Sequence, residues 1–499
     1  MIANVHKNLP DYIEGYGAVA PFCSQHFVKQ TDKVLPSIKD AVLSCGLKDG
    51  MTISFHHHLR EGDFVLNMVM EQIAGLGIKD ITIASSSILT VHEPLIEHIK
   101  NGVVTGLITS GLRGKLAKEI SCNGILNKPV VFRTHGGRAR ALAEGQMQID
   151  VAFIAASACD KMGNMSGKAG KSAFGSMGYA LVDAKYAKKV VCISDCLKPY
   201  PLAMPSIDQT YVDAVVVVDE IGDISKISSG ATRLTPSDTE LIIAQNAAHV
   251  LIASGCVKNG FSFQAGSGGA SLAVIRFLRE YMLEHNIKGG FISGGITSNA
   301  VALLEEGLFE ALLDTQTFDS EAVKSFARNP KHIEMSAAMY ADPCTKGCVA
   351  HMLDMMILSA TEIDINFNVN VLTGSNGIII GAQGGHPDTA AGAGLTIVTA
   401  PLMRKNRPIV LEKVTTVVTP GEYIDVLVTE CGIAVNPKNK SLQERLVNKG
   451  IELVTVEELH KWAMERSEDL FQPHFEDKIV GVVESRAGTV MDIIRKVRA

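Results

Sequence analysis

The chain repeats itself, and that limits its fold more than any other feature. TISFHHHLREGDFVLNMVMEQIAGLGIKDITIAS begins at Thr52, and FSFQAGSGGASLAVIRFLREYMLEHNIKGGFISG begins at Phe261. Both read as short strand, turn, amphipathic helix, IK-containing turn and strand. IDVAFIAASACDKMGN from Ile149 parallels IDINFNVNVLTGSNG from Ile363, and YVDAVVVVDEIG from Tyr211 parallels YIDVLVTECGIA from Tyr423. The offsets are 208 (from Ile53), 214 and 212 residues, and the matches are collinear. A period this long is a repeated domain and not a solenoid unit.

Strand-like runs alternate with helical stretches: KKVVCISD from Lys188 precedes DAVVVVDE from Asp213, and GGFISGGI from Gly289 precedes the helical SNAVALLEEGLFEALL from Ser298. This alternation predicts two similar α/β domains with mainly parallel sheets flanked by helices. The boundary falls in KISSGATRLTPSDTE, Lys226 to Glu240, giving residues 1–232 with N-terminal helices and 233–499. TPSDTE there reads as the N-cap of the next helix.

With 47 basic against 53 acidic residues the chain carries −6, and 46% of it is hydrophobic, so neither a disordered chain nor a nucleic-acid binder is expected. The longest apolar runs are strand-sized, far below the roughly 20 residues of a membrane span. MIANVHKNLP lacks the apolar core of a signal peptide. Ten scattered cysteines, several in apolar runs, fit a reducing, cytoplasmic setting.

Glycines cluster after the strand-like runs, and four loops are candidates for chemistry. QAGSGGASLAVIRFL, Gln264 to Leu278, turns from strand to helix and offers backbone N–H groups to an anion or oxyanion, although neither a dinucleotide fingerprint nor a P-loop is met. IIIGAQGGHPDTAAGAG, Ile378 to Gly394, lets backbone approach a ligand closely and carries His386 and Asp388. HHHLREGD, His56 to Asp63, is the first-half counterpart of the glycine-rich turn; consecutive side chains point apart, so a polar strand-end turn is the default, with Arg60 as a carboxylate fork. FRTHGGRARALAEGQ places Arg133, His135, Arg138 and Arg140 around a glycine pair, suited either to a multiply charged acid or to a solvated helix start. Cys344, Cys348 and His351 form a poor zinc pattern, and no metal is expected. G-x-S-x-G and H-E-x-x-H are absent.

Over essentially its whole length the chain resembles the α subunits of bacterial citrate lyases, within the CoA-transferase and acyl-CoA hydrolase superfamily. The resemblance is carried by FSFQAGSGGASLAVIRF, GGITSNAVALLEEGLFEALLDTQTFD, EIDINFNVNVLTGSNG, GAQGGHPDTAAGAG and VTECGIAVNP. It implies two similar CoA-transferase-like domains with the active site between them. In the glutamate-dependent members a strand-end Glu forms a glutamyl thioester; the matching region here, EALLDTQTFD, holds Gln316 in that place. The resemblance therefore implies direct transfer without a covalent enzyme intermediate: citrate and an acetyl thioester become citryl thioester and acetate through a mixed anhydride. The implied thioester sits on the phosphopantetheine-type arm of a carrier subunit, or on CoA, with no cofactor bound directly. The implied partners are citrate, a γ-type acetyl-carrier protein and a β-type citryl lyase subunit in an oligomeric complex. Under this reading Gln316, Gly268 and Gly269 are catalytic. Arg60, Arg133, His135, Arg138, Ser267, Gly384, Gly385 and His386 bind substrate. Two alternatives stay open: a CoA-transferase or acyl-CoA hydrolase for another acid, and a non-catalytic ligand-binding scaffold.

Overall fold

The computed structural model describes residues 9–20, 32–228, 237–266, 269–468 and 473–498. Apolar strands alternate with helices that cover them, and each half of the chain builds one mainly parallel sheet. The first half supplies β1 (Val34–Leu35), β2 (Thr52–Phe55), β3 (Ile81–Ser85), β4 (Val104–Thr109), β5 (Val130–Phe132), β6 (Val151–Ala156), β7 (Lys189–Ser194) and β8 (Ala214–Val217). The second supplies β9 (Ser262–Ala265), β10 (Gly289–Ile296), β11 (Phe309–Thr317), β12 (His332–Glu334), β13 (Met355–Ser359), β14 (Leu395–Thr399), β15 (Val426–Val428) and β16 (Ile433–Val435). A terminal hairpin adds β17 (Phe475–Glu484) and β18 (Val490–Val497).

The first sheet runs β18-β17-β5-β4-β3-β2-β6-β7-β8-β1, and the second β12-β11-β10-β9-β13-β14-β15-β16. The run β5-β4-β3-β2-β6-β7-β8 is parallel throughout and matches β12-β11-β10-β9-β13-β14-β15 strand for strand. Local bonds repeat as well. Asp150 accepts from the Thr52 N–H at 2.9 Å, and Asp354 from the Ser262 N–H at 2.8 Å. Each half also carries a three-stranded ribbon: Ala158–Asp160 with Met165–Ser166 and Leu197–Lys198, and Glu362–Asp364 with Val369–Asn370 and Val410–Leu411.

These pairings correct two of the three sequence registers. Ile53 pairs with Val151 as Phe263 pairs with Met355, so the β2 and β9 offset is 210 rather than 208. Asp160 accepts from the backbone of Met162 and Asn164, and Asp364 from that of Asn366 and Asn368. The middle offset is therefore 204, ten residues from the 214 read off the shared Ile-Asp pair. The third holds, since Val191 pairs with Ala214 as Ile397 pairs with Val426. The stretch from Ser298 also differs from expectation: its helix covers Ser298–Glu305, Gly307 turns in the left-handed region at φ 72°, and β11 begins at Phe309.

The expected boundary at 232/233 lies outside the described residues. The helix after it, Asp238–Ala253, starts on a capping box in which Ser237 accepts from the Glu240 N–H. Although that division assigns the terminal hairpin to the second half, β17 pairs parallel to β5, and Val480, Val483 and Ile494 join the core of the first sheet. The halves also clasp each other through the segments that follow their ribbons. Ser176 donates its N–H to Thr317 Oγ1 (3.0 Å) and its hydroxyl to the Asp314 carbonyl (2.8 Å). In return, Gln383 donates its N–H to the Ser110 carbonyl (2.7 Å), and the His135 N–H donates to the Gly384 carbonyl (2.9 Å). Gly111 sits so close to this segment that a Cβ on it would lie 2.1 Å from Ala382 Cβ.

Candidate active site

In an open parallel sheet, ligands bind beyond the carboxyl ends of the strands where the strand order reverses. In the second sheet that point is β9, flanked by β10 and β13. A cavity of about 290 Å³ opens there, with Gln264, Ala265 and Gly266 from β9 and its turn, Gly294 and Gly295 from β10, and Met356, Leu358 and Ser359 from β13. Arg113, His135 and Tyr179 of the first half close it from above, and residues 382–386 close its side. Among the described residues its lining holds no Asp or Glu.

The polar groups of the wall are held by bonds behind them. Gln264 donates to the Tyr340 hydroxyl at 2.9 Å and accepts from the Ser293 hydroxyl at 2.9 Å. Burial pushes both the Tyr340 and the Tyr179 phenols above their ordinary range, so both present neutral hydroxyls. His386 Nε2 lies 3.0 Å from the Ser359 carbonyl and must donate to it, which leaves Nδ1 to accept from Thr419 Oγ1 at 2.7 Å. Burial pulls His386 down to about 4, so this imidazole is neutral. His135 is pulled down to about 3, first by burial and then by Arg138; its ring lies 4.5 Å from that of Tyr179, and its Nδ1 is buried without a hydrogen-bond partner among the described residues. Gly384 takes φ 55° beside the His135 ring, and a Cβ on Gly385 would lie 2.4 Å from the Tyr340 hydroxyl.

Below the wall, Asp388 ties the halves together. It accepts from Thr134 Oγ1 at 2.7 Å and from the Gly136 N–H at 2.9 Å, and Arg486 Nε lies 3.7 Å away. Burial pushes this carboxyl up to about 6 against the pull of those three partners.

Of the residues singled out from the sequence, His135, Gly384, Gly385 and His386 come together on this wall. Ser267 and Gly268 lie outside the described residues. Gly269 opens the helix Gly269–Glu284 against Glu240 and does not line the cavity. Gln316 is buried, and its side-chain amide donates to the His57 carbonyl at 3.0 Å, away from the lining. Arg60 is buried with its backbone at φ 56°, and its guanidinium packs 4.8 Å over the ring of Phe318, which is itself a wall residue. Arg133 pairs with Glu484, with bonds of 2.6 and 3.3 Å. Arg138 pairs with Asp183 through bonds of 2.5 and 2.8 Å and also donates to the Ala84 carbonyl. Neither of these two lines the cavity.

Sequence reasoning missed Arg113, Tyr179, Gln264, Gln383 and Tyr340. Arg113 had a usable signal, because TSGLRG places a lone arginine in the turn after the β4 run. The tyrosines come from helices far along the chain and had none. Arg113 lines the cavity, and its Nε is buried with no hydrogen-bond partner among the described residues.

The family described as "Citrate lyase, alpha subunit (CitF)" matches residues 31–497. The citrate lyase alpha chain of Klebsiella pneumoniae is 51% identical over 97% of this chain and 95% of its own length. A Streptococcus mutans citrate lyase alpha subunit, solved with citrate, is 50% identical and covers 99% of both chains with a TM-score of 0.93. The 4-hydroxybutyrate CoA-transferase of Porphyromonas gingivalis shares the fold alone, at 18% identity and a TM-score of 0.55 over 87% of this chain and 98% of that one. Sequence and fold thus agree over nearly the whole length: the chain belongs to the family of citrate lyase α subunits.

Proposed function

We propose that this chain moves an acyl-carrier thiol from acetyl to citrate within a citrate lyase complex. The observation that carries this reading is the cavity between the halves, whose described lining offers one arginine, amides, hydroxyls and glycine backbone but no carboxylate nucleophile. A citrate carboxylate attacks the acetyl thioester carbonyl, an oxyanion forms and collapses, and the thiolate leaves. The thiolate then attacks the citryl carbonyl of the acetyl–citryl anhydride, and acetate departs. Both nucleophiles are already charged at neutral pH, so no general base is needed. Holding the two reactants together supplies ~7–11 kcal/mol of the barrier. Each oxyanion donor is worth about 3–4 kcal/mol.

The cavity lies at the small end of the roughly 300–1,000 Å³ range for ligand sites, which suits a small acid and the tip of a thioester. The rest of the donor stays outside, so a carrier-bound phosphopantetheine-type arm and CoA can both present the same thioester. A γ-type carrier would deliver that arm, and a β-type subunit would cleave the citryl thioester. The test is to incubate the chain with citrate and acetyl-CoA or acetyl-carrier and to follow products by mass spectrometry, with borohydride present to trap any acyl-enzyme. Citryl thioester and acetate without a trapped adduct are expected. A trapped glutamyl thioester, or no exchange with either donor, would overturn the proposal.

A further inference from the structure

We infer that His135 is a catalytic residue of this transfer: it donates an N–H from Nε2 to the oxyanion formed when the thioester carbonyl is attacked. This role rests on the transferase reading above and gives the site a named oxyanion donor.

His135 opens the helix His135–Ala143 on the cavity wall. The first N–H groups of that helix are already taken. His135 donates its own to the Gly384 carbonyl (2.9 Å), Gly136 to Asp388 (2.9 Å) and Gly137 to Thr134 Oγ1 (2.8 Å). None of these three is left for an anion, and the imidazole is the remaining donor of this helix start. Other polar side chains of the wall are committed behind it: Gln264 to Tyr340, Gln383 to the Phe132 carbonyl (2.9 Å), and His386 to Ser359 and Thr419.

The place of the imidazole proton follows from burial. Nδ1 is buried with no hydrogen-bond partner among the described residues, and an orphaned buried N–H is costly. Burial and Arg138 keep the ring neutral, so its single N–H proton belongs on Nε2. Nε2 lies on the ring edge that faces Gly384. A Cβ on Gly384 would lie 3.5 Å from Nε2 and 3.9 Å from Cδ2, and apart from the adjoining residues no other described atom comes within 4 Å of that point. The missing side chain thus leaves a space bounded by the imidazole. An oxygen entering it slightly nearer the ring reaches the roughly 2.9–3.0 Å of an N–H···O bond. The Tyr179 ring, 4.5 Å away, backs the imidazole.

As a citrate carboxylate oxygen bonds to the thioester carbon, the carbonyl π pair moves onto its oxygen. Nε2–H stabilises that charge and keeps its proton, since a neutral imidazole N–H suffices as electrophile. Collapse returns the pair to the carbonyl and expels the thiolate.

The test uses the full chain with citrate and acetyl-CoA, with kcat and KM read from citryl thioester by mass spectrometry. His135→Phe keeps a ring against Tyr179 but removes the donor. Its kcat is expected to fall roughly 100- to 1,000-fold, with both KM values within about threefold. Gln places its amide nitrogen near the position of Nε2, whereas Asn places it near that of Nδ1. His135→Gln should therefore run about tenfold faster than His135→Phe, and His135→Asn should not. In the ¹⁵N-histidine-labelled chain at pH 7, the signal lost in His135→Phe should report an imidazole protonated on Nε2 alone. A kcat in His135→Phe within about twofold of wild type would overturn the role. So would equal rates in the Gln and Asn variants, a raised citrate KM with kcat unchanged, or an imidazolium or an Nδ1–H ring by NMR. A wild-type chain that forms no citryl thioester would overturn the transferase reading and this role with it, whereas an active wild type beside an equally active His135→Phe overturns the role alone.

Discussion

β2 and β9 hold the same place in their sheets, yet their carboxyl ends have opposite characters. After β9 the chain continues with Gly266, and a cavity opens. After β2 it continues with His56, His57 and His58, all buried. His58 stacks 4.5 Å from Phe174, His57 bonds Ser86 Oγ at 2.6 Å, and His56 Nε2 lies 2.9 Å from Asp183. Burial drives His57 and His58 far below the ordinary imidazole range. Side-chain bulk after the strand thus decides which of two topologically equivalent crevices is filled. The filled crevice braces the open one, since the His57 carbonyl takes the bond from Gln316 of the other half.

The largest expected effect comes from breaking the brace. Burial would lift the Asp183 carboxyl, but Arg138 and His56 hold it well below the ordinary range. Arg138→Met would leave Asp183 buried without its guanidinium, at a cost of about 3–5 kcal/mol. Urea denaturation checks this, and a loss under about 1 kcal/mol would mean that the filled crevice is not a structural support.

At the open end, Gly385→Ala should cost about 100-fold in transfer rate and about 1–3 kcal/mol of stability. The added methyl must displace Tyr340, and with it the bond from Gln264. Steady-state rates beside a thermal melt separate the two effects.

Asp388, between the two ends, makes the clasp pH-dependent. Its pKa in the folded chain lies above its ordinary value, so folding binds its proton more tightly. That stabilisation is complete below the ordinary carboxylate pKa and is lost as pH rises through about 6. The loss is on the order of 2–3 kcal/mol. Melting temperatures from pH 5 to 7.5 should fall more for wild type than for Asp388→Asn. Equal slopes would contradict the assignment.

The smallest effect is expected at Gln316. Gln316→Ala leaves the His57 carbonyl without its donor and should cost roughly 1–3 kcal/mol of stability. Gln316→Glu sets a carboxylate against that carbonyl and should cost more at pH 8 than at pH 5. An acyl-enzyme trapped in Gln316→Glu would place residue 316 in the reacting site instead.

Much of this architecture was legible in the sequence, because strand–turn–helix periodicity is local. The two-fold repeat, the parallel sheets and the glycine-rich turns all follow from residues close in the chain. The registers were less secure: Ile149-Asp150 and Ile363-Asp364 look alike, but Asp150 bonds to β2 whereas Asp364 closes a ribbon turn. The terminal hairpin was invisible as part of the first sheet, since nothing local tells a strand which edge it joins. At the site, the loop carrying Gly384 and Gly385 was legible because so little side chain survives there. The arginines were not. Arg133 and Arg138 look like an anion site until Glu484 and Asp183 are brought to them from 351 and 45 residues away. Arg113 looks ordinary until the fold brings it to the cavity wall.

The most direct measurement is a single turnover with citrate carrying ¹⁸O in its carboxylates and an unlabelled acetyl thioester. Direct attack sends one citrate oxygen into the anhydride bridge, and that oxygen leaves with acetate. Singly labelled acetate is expected in the first turnover, formed together with citryl thioester. Unlabelled acetate in that turnover would mean that an enzyme carboxylate or water took the acetyl group, and the direct-transfer site between the two halves would be wrong.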